Sequence, residues 1–588
     1  MSAALGISIR RTHAMSAALG TSIRRSCAVA ASGILATAAL ADAGTRQAPR
    51  FEVTIPASAR PAPLTGRLVL VVAKRGEPEP RFTISPSGPA LFAVDLEQLA
   101  PGRPAVIDGA SLGHPAPLAE LPPGDYFAQA VINVYEEARR ADGHRIWVHQ
   151  NDGSQEPFQI AAGNLYSDVQ PVHIGTGGAG DRQTARVGTG GTVRITVTHV
   201  IPPAERPADT EWVKHVQIKS DKLTAFWGRP IYVNATVLLP KGYAEHPDVR
   251  YPGVYTLGHN VPFSFSTDSS RARGLGTLNP VTGLEAGFDF HRAWSSNGFP
   301  RVIAISFEQQ TPYFPDSYSV NSANNGPYGD AIVEEVIPWL EQRFRIIRSP
   351  HARLVEGAST GGWQALALQL QHPDFFGGAW VLQPDPIDFQ KDQLVNIYED
   401  SSAFLVRTGP FTTTERPFRR TTEGQVVWTE RQLSRFEEVL GTRGRSGYQL
   451  EGWEAVYGPV GPDGYPRPLW NKLTGAIDRE VAAYWREHGF DLREFAERNW
   501  AVLGPRLVGK LHFFAGDMDD FYLNLAVYRF EEFLKNTANP HSDAEFTYGR
   551  PGKGHSWHAY PWTEMVRRMA AHVKQHAPPG ESTAAWSY

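Results

Sequence analysis

The stretch Arg353-Leu-Val-Glu-Gly-Ala-Ser-Thr-Gly-Gly362 decides the fold. It joins a strand-like apolar run to a helical run and contains Gly-x-Ser-x-Gly at 357–361. A serine in so tight a turn needs very small neighbours, because its backbone is strained and the strand and helix lie close together. Its hydroxyl then projects above a sheet, at a helix N-terminus that favours a developing negative charge. The pattern predicts Ser359 as a nucleophile; a plain strand-to-helix turn is the alternative.

An acid is expected further along the chain, because a serine hydroxyl is a weak nucleophile that needs an activated base. The order expected in this kind of site is serine, acid, histidine. Three aspartates, Asp517, Asp519 and Asp520, follow the strand-like run at 510–515. An aspartate there would accept the imidazole Nδ1–H and stabilise the imidazolium. The alternative is an aspartate-rich turn or a cation-binding loop, although the acids lack the EF-hand spacing.

The candidate base is His555, in the glycine-rich loop at 552–558 that precedes a helical run at 563–576. His558 is the second candidate. A His-x-x-His metal pair is the rival interpretation. It lacks the helical glutamate of zinc proteases, and Pro551 and the nearby glycines argue against a helix. We therefore expect no metal and no organic cofactor.

Two backbone N–H groups are needed to hold an oxyanion. One is predicted to be that of Thr360, directly after the serine. The other should come from the loop that follows the early strand-like run at 251–257, which makes His259 and Asn260 candidates. For His259 the alternative is a purely structural role in the loop.

Strand-like and helical runs alternate on both sides of the serine. The strand-like runs are 231–239, 253–257, 301–306, 353–356, 378–382 and 510–515, and the helical runs are 331–344, 362–371 and 522–534. Such alternation predicts a mostly parallel sheet with helices on both faces. Together with the serine turn it predicts an α/β-hydrolase core within 206–588.

Residues 390–500 interrupt the alternation with many charges and helical patches at 429–440 and 477–488. We predict a helical insertion that caps the active edge of the sheet; a surface decoration remote from the site is the alternative. Trp453, Tyr457 and Trp470 are candidates either for lining a substrate cleft or for forming the insertion's own core.

Residues 44–205 predict a separate β-sandwich domain. Strand-like runs at 67–74, 125–135 and 192–200 are separated by proline and glycine turns. In the last of them Val193, Ile195 and Val197 alternate with polar residues. The segment 201–207 is typical of a linker. The run 175–191 matches Gly-x-Gly-x-x-Gly but lacks a strand–helix context, so a loop is favoured over a nucleotide site.

The first 43 residues are interpreted as a signal peptide, which predicts export to the periplasm or beyond. Arg24 and Arg25 precede an uncharged apolar stretch at 27–41, followed by small residues that suit cleavage. Cys27 is the only cysteine among 588 residues and would leave with the signal, so the mature protein would have no cysteine nucleophile. The net charge of −4 and the lack of a basic stripe argue against a nucleic-acid partner. No later apolar run is long enough for a membrane span.

These motifs together resemble the putative esterase family, which includes enterochelin esterase, esterase D with S-formylglutathione hydrolase, feruloyl esterases and the mycolyltransferases. The likeness is carried by 239–243 with 251–260, by 330–345 leading into 356–363, by 516–524 and by 554–557. In such proteins a Gly-x-x-Asp-x-Phe pattern carries the acid, and Gly516, Asp519 and Phe521 match it. A Gly-His-x-Trp pattern carries the histidine, and His555 matches. The resemblance implies Asp519 as the acid, with Asp520 second.

Two features depart from that family. The early loop has Gly258, His259 and Asn260 in series where relatives often have a His-Gly pair, and the insertion at 390–500 is larger than usual. The family's substrates therefore do not carry over. A β-domain ahead of the hydrolase is similar in architecture to enterochelin esterase.

The predicted function is a serine carboxylic-ester hydrolase that acts on a small-molecule or oligomeric ester through an acyl-enzyme. An acyltransferase to a sugar or lipid acceptor is the alternative. A catalytically dead binding protein is a third interpretation; it predicts loss of a triad member, yet candidates for all three stand in order. The sequence does not indicate the oligomeric state.

Overall fold

The computed structural model describes residues 48–149, 157–175, 185–187, 191–203, 205–258, 262–274 and 276–588. The signal peptide predicted at 1–43 and most of the glycine-rich run at 175–191 lie outside the described residues. Across the described ranges, no helix has the length and apolar character needed to traverse a bilayer.

The first part of the described chain is rich in β-strands. They are β1 (Arg50–Thr54), β2 (Leu64–Ala73), β3 (Ala90–Leu99), β4 (Pro104–Ile107), β5 (Leu112–His114), β6 (Gly124–Arg139), β7 (Arg145–His149), β8 (Leu165–Ser167), β9 (Gln170–Ile174), β10 (Ala185–Val187) and β11 (Thr192–Val200). They pair into one sheet whose main path is β4-β1-β11-β8-β6-β2-β3-β5. We call residues 48–200 the β-region. Its predicted β-rich character is confirmed, whereas the sandwich layering stays a prediction.

Strand β2 is buried on both faces, which explains its uninterrupted apolar sequence. Leu68, Leu70 and Val72 pack into a core made by the β-region itself. Val69 and Val71, on the opposite face, belong to the core that continues through the second half of the chain. The β-region is therefore joined to the rest of the molecule by a shared apolar surface.

The remaining strands include a second large sheet. The strands are β12 (Val213–Ser220), β13 (Ile231–Leu238), β14 (Gly253–Leu257), β15 (Ile303–Glu308), β16 (Asn321–Ser322), β17 (Gly326–Pro327), β18 (Arg353–Ser359), β19 (Gly378–Pro384), β20 (Leu405–Gly409), β21 (Thr412–Glu415), β22 (Pro417–Arg420), β23 (Val426–Thr429), β24 (Leu511–Gly516) and β25 (Glu545–Gly549). The sheet order is β12-β13-β15-β14-β18-β19-β24-β25. Strand β13 runs antiparallel to both neighbours, and from β15 to β25 all pairs are parallel. This is an α/β-hydrolase-like sheet, with the carboxyl ends of its parallel strands at one edge.

Helices cover this sheet and build part of the insertion. They are α1 (Asp221–Trp227), α2 (Gly287–Trp294), α3 (Ile337–Arg343), α4 (Thr360–Gln371), α5 (Glu430–Leu440), α6 (Gln449–Tyr457), α7 (Arg479–Glu487), α8 (Leu492–Leu507), α9 (Asn524–Lys535) and α10 (Trp562–Gln575). A π-helical turn at Ala331–Val336 precedes α3, so the helix predicted at 331–344 is divided. Helix α4 is buried along nearly its whole length, and the residue before it, Ser359, is half-buried.

The insertion between β19 and β24 contains helices, as predicted, together with strands that were not predicted. Helices α5 and α7 lie where helical patches were predicted, but the chain also forms two hairpins, β20–β21 and β22–β23. The β20–β21 hairpin is largely exposed, so it lacks the apolar alternation that reveals a half-buried strand. Its role as a cap stays a prediction.

A buried arginine of β2 fastens the insertion to the β-region. Arg67 is 2% exposed, and its guanidinium donates to the carbonyl oxygens of Glu438 at 3.1 Å and Val439 at 2.9 Å. It also pairs with Asp95 at 3.1 Å. Carbonyl groups at a helix C-terminus lack partners within the helix, so a cation from another element satisfies the end of α5. The insertion is thereby held against the β-region.

Candidate active site

Ser359 stands at the turn between β18 and α4, with φ 59° and ψ −121°. A residue with a Cβ rarely adopts such angles, and they persist only when the surroundings enforce them. The packing leaves room for glycine alone on either side. A Cβ at Gly357 would lie 2.5 Å from the carbonyl carbon of Gly361, and one at Gly361 would lie 2.1 Å from the carbonyl oxygen of Leu257. The strand, turn and helix therefore present the serine side chain at the edge where parallel strands end.

The ring of His555 contacts Asp519. Its Nδ1 lies 2.7 Å from Asp519 Oδ2. Asp519 is fully buried, and its other oxygen accepts the backbone N–H groups of Phe521 at 2.9 Å and Leu523 at 3.3 Å. A carboxylate fixed in this way can hold one tautomer of the imidazole and leave Nε2 free to face a reactant.

The other two aspartates of the loop contact the backbone that carries the histidine. Asp520 accepts the backbone N–H of His555 at 3.2 Å and pairs with Arg419 at 3.5 Å. Asp517 accepts the backbone N–H of Lys553 at 2.9 Å. Of the three predicted acids, the structure thus brings Asp519 to the ring, and the others position the loop.

The two histidines of this loop have opposite electrostatics. Burial lowers the pKa of His555, but the charge and hydrogen bond of Asp519 outweigh it, so the pKa is raised overall. Burial lowers the pKa of His558 to about 4, and its Nδ1 lies 3.0 Å from the carbonyl oxygen of Ser556. His558 is therefore neutral at ordinary pH and contacts its own loop.

Ser359, Thr360 and His555 line one cavity of about 460 Å³, although they come from distant parts of the sequence. The insertion contributes the opposite wall, with Phe418, Arg419, Gln449 and Trp453. Of the three insertion aromatics predicted as cleft or core, Trp453 lines the cavity. Tyr457 packs against Trp363 and Trp485, and Trp470 donates its N–H to Ser434 at 3.0 Å, so both belong to the core. His259 and Asn260 lie outside the described residues.

Asp385 is a site residue that the sequence reasoning missed. Ser359 Oγ donates to Asp385 Oδ1 at 3.2 Å, and this is the hydrogen bond that the serine side chain makes within the described residues; none joins it to His555. Asp385 is 4% exposed, and its Oδ2 accepts Tyr318 Oη at 2.6 Å and Thr360 Oγ1 at 3.0 Å. Its position directly after β19, beside the nucleophile strand, was the available signal, because parallel strands end at one shared edge.

Glu356 and Gln383 complete the base of the cavity. Burial raises the pKa of Glu356 to about 7, and its Oε1 has no hydrogen-bond partner among the described residues. Gln383 donates through Nε2 to the carbonyl oxygens of His555 at 2.8 Å and Trp557 at 3.1 Å. The end of β19 thus also supports the histidine loop.

The part of the chain that contains the serine turn is similar to a known protein family. Residues 230–439, which include the serine turn, match the family described as putative esterase. This part of the chain is therefore similar to that family. The chain is accordingly a serine carboxylic-ester hydrolase, as its motifs predicted. No curated protein matches it.

Several solved structures are similar to this chain at low sequence identity. A ferulic acid esterase is 15% identical, with 62% of this chain and 98% of that chain covered and a TM-score of 0.30. The fluorophosphonate-binding serine hydrolase F of Staphylococcus aureus is 15% identical, with 61% and 98% covered and a TM-score of 0.31. An S-formylglutathione hydrolase of the same organism is 15% identical, with 61% and 99% covered and a TM-score of 0.30.

Proposed function

We propose that the protein hydrolyses carboxylic esters through an acyl-enzyme on Ser359, with His555 as the base and Asp519 as its orienting acid. The observation that carries this proposal is the 2.7 Å contact between His555 Nδ1 and Asp519, in a cavity that Ser359 also lines. Histidine, acid and strained serine are the parts that acyl transfer requires.

The reaction proceeds in two stages, acylation and deacylation, each with two proton transfers through His555. His555 Nε2 takes the Ser359 proton as Oγ attacks the ester carbonyl, and the backbone N–H of Thr360 receives the oxyanion together with a donor from the loop after β14. His555 then gives that proton to the leaving alkoxide, and the acyl group stays on Oγ. His555 then deprotonates a water molecule, which attacks the acyl-enzyme. The bond between Oγ and the acyl carbon breaks, His555 returns the proton to Ser359 Oγ, and the products are an alcohol and a carboxylic acid.

Attack requires the serine hydroxyl to turn from Asp385 towards His555. Rotation about χ1 of a half-buried serine moves its oxygen between staggered positions without moving the backbone. Hydrogen bonds between catalytic groups are often long or misaligned before substrate binds and tighten only in the reacting complex. The resting contact with Asp385 is therefore compatible with the proposed role of His555.

A fluorophosphonate probe with peptide mapping tests the assignment. We expect one covalent adduct, on Ser359, and none in Ser359→Ala or His555→Ala. Ser264→Ala is the matched control, because Ser264 also lines the cavity, and it should still be labelled. Labelling that persists in Ser359→Ala would rule out the proposed nucleophile.

Product analysis separates hydrolysis from acyl transfer. With p-nitrophenyl acetate and added glycerol, we expect free acetate to be the main product. Acetylated glycerol as the main product would assign the acyl-enzyme to a transferase instead.

A further inference from the structure

The carboxylate of Asp385 contacts the nucleophile Ser359, yet the proposed mechanism gives this carboxylate no role. We propose that Asp385 selects esters whose acyl α-carbon carries a hydrogen-bond donor, and that it prefers an ammonium group to a hydroxyl. This inference rests on the proposed acyl-enzyme reaction and names the acyl class that the site takes.

The surroundings of Asp385 suit an ionised carboxylate. Besides Ser359, Tyr318 and Thr360, it accepts Gln449 Nε2 at 3.2 Å and Trp453 Nε1 at 3.4 Å. Five donors match a carboxylate that only accepts, and do not match a carboxylic acid that must also donate. Within the described residues these hydrogen-bond partners are all uncharged and Asp385 forms no ion pair, while its charge helps to raise the pKa of His555.

The two oxygens of Asp385 differ in what they contact. Oδ2 accepts the Tyr318, Thr360, Gln449 and Trp453 donors, whereas Oδ1 has the Ser359 hydroxyl. Tyr318 Oη is itself held by Trp453 Nε1 at 2.6 Å. The saturated oxygen is therefore fixed by a network, and the oxygen facing the nucleophile depends on one donor that takes part in the reaction.

Acylation removes that donor. When the Ser359 proton passes to His555 and the Oγ–carbon bond forms, Oγ has no hydrogen to offer Asp385. A buried anionic oxygen is then left unpaired, which is costly. A second negative charge develops on the carbonyl oxygen nearby and adds repulsion. A substrate that brings its own donor to Oδ1 restores the lost hydrogen bond in the transition state, and an ammonium donor also offsets the repulsion, so such binding accelerates the reaction.

The geometry of the tetrahedral intermediate determines where that donor must lie. Its central carbon is bonded to Ser359 Oγ and to three groups of the substrate. The oxyanion turns to the Thr360 N–H, and the leaving oxygen turns to His555. The acyl carbon is left for the side of Asp385, whose Oδ1 is 3.2 Å from Oγ. An ammonium or hydroxyl on the acyl α-carbon is then within hydrogen-bond reach of Oδ1, whereas a carboxylate there is repelled.

Four ethyl esters that differ only at the α-carbon test the selection: L-alanine ethyl ester, L-lactate ethyl ester, ethyl isobutyrate and monoethyl methylmalonate. At pH 6.5, where the amine is protonated, we expect kcat/KM to fall in that order. We expect a gain of about 10- to 100-fold for ammonium over methyl, which is the worth of one charged hydrogen bond. An ammonium ester that reacts no faster than the isobutyrate would overturn the inference.

Asp385→Asn removes the charge at constant shape, and its ammonium-to-methyl ratio should fall to within about threefold of unity, since the charged hydrogen bond is gone. Glu356→Gln changes the other carboxyl at the cavity base and should keep the wild-type ratio. A ratio retained in Asp385→Asn, or lost in Glu356→Gln alone, contradicts the assignment. If Asp385→Asn does not fold, the order of the four esters with the wild-type protein decides.

Hydrolysis of p-nitrophenyl acetate separates the two levels of inference. If it occurs and Ser359→Ala abolishes it, while the four ethyl esters show no preference, the selection by Asp385 is wrong and the esterase proposal stands. If neither hydrolysis nor probe labelling depends on Ser359, the esterase proposal and the selection by Asp385 are both wrong.

Discussion

The two walls of the cavity are built in different ways. One wall consists of turns at the carboxyl ends of parallel strands and carries Ser359, Asp385 and His555. The other comes from the insertion, which presents Gln449 and Trp453 from helix α6. Backbone geometry fixes the first wall locally, whereas long-range hydrogen bonds from Gln449 and Trp453 to Tyr318 and Asp385 fix the second. The reactive groups therefore lie in short sequence motifs, whereas the groups that shape the rest of the cavity do not.

The largest effect is expected at the strand-edge wall, from Asp519→Asn. The amide cannot hold the imidazole in the tautomer that accepts the serine proton, so kcat should fall about 10³- to 10⁴-fold. Asp520→Asn is the matched control; it alters the loop backbone and Arg419, and we expect a loss below about tenfold. Steady-state kinetics with p-nitrophenyl acetate measures both, and a larger loss in Asp520→Asn would exchange the roles of the two aspartates.

The pH profile sharpens the same test. His555 must be neutral to act as a base, so kcat/KM of the wild-type protein should fall as pH drops through its raised pKa. Because Asp519 causes the increase, the residual activity of Asp519→Asn should fall at a lower pH than that of the wild type. An acid limb that does not move would mean that another group controls it.

On the insertion side, Arg67→Met is expected to have the largest effect on stability. It leaves the carbonyl groups of Glu438 and Val439 without their donor and Asp95 without its partner, so the free energy of unfolding should fall by about 2–4 kcal/mol. Urea unfolding measures the change. Arg50→Met is the control, because Arg50 is 43% exposed and its pair with Glu52 should contribute little. Equal losses in both variants would contradict a special role for Arg67.

Glu356→Gln tests the base of the cavity through the pH dependence of stability. Burial raises the folded-state pKa of Glu356 from 4.5 to about 7, so its favourable contribution is complete below pH 4.5 and is lost as pH rises through 7. Glutamine stays neutral, and the variant should be more stable than the wild type at pH 8 by about 3 kcal/mol, with little difference at pH 4.5. Exposed Glu97→Gln should show no such dependence in the same unfolding experiments.

The smallest effect is expected from Trp453→Phe, which keeps an aromatic ring in the insertion wall and removes the N–H. Tyr318 and Asp385 each lose one donor, so kcat/KM for L-alanine ethyl ester should change about threefold to tenfold. Trp470→Phe removes an indole N–H from the insertion core and should change thermal stability instead. Identical kinetic changes in both would remove the distinction between wall and core.

The candidate site was predictable as far as its motifs extend. The serine turn follows from glycines that only a strained strand–helix junction requires, and the structure brings the predicted Asp519 to His555. Asp385 could not be assigned a role, because its function depends on Tyr318 from a preceding loop and on Gln449 and Trp453 from the insertion. The position of a carboxylate after a strand indicates that it lies near the site, but it does not indicate which side chains it contacts there. The oxyanion roles of Thr360, His259 and Asn260 stay predictions.

The fold was predictable where strands are buried. Strands β13, β14, β15, β18, β19 and β24 lie within two residues of the apolar runs, or extend from them by a few residues. Strands β12 and β25 escaped notice because they form the two edges of the sheet and keep several partly exposed residues. Edge strands lack the continuous apolar run of a strand covered on both faces.

The contact between Arg67 and helix α5 joins a segment that is synthesised early to one that is synthesised late. The β-region leaves the ribosome more than two hundred residues before α5 does, and domains made first generally fold first. We therefore expect the β-region to fold first and Arg67 to bind the end of α5 as the insertion folds. Moving the β-region to the end of the chain by circular permutation would keep every contact, yet the insertion would then be synthesised before Arg67.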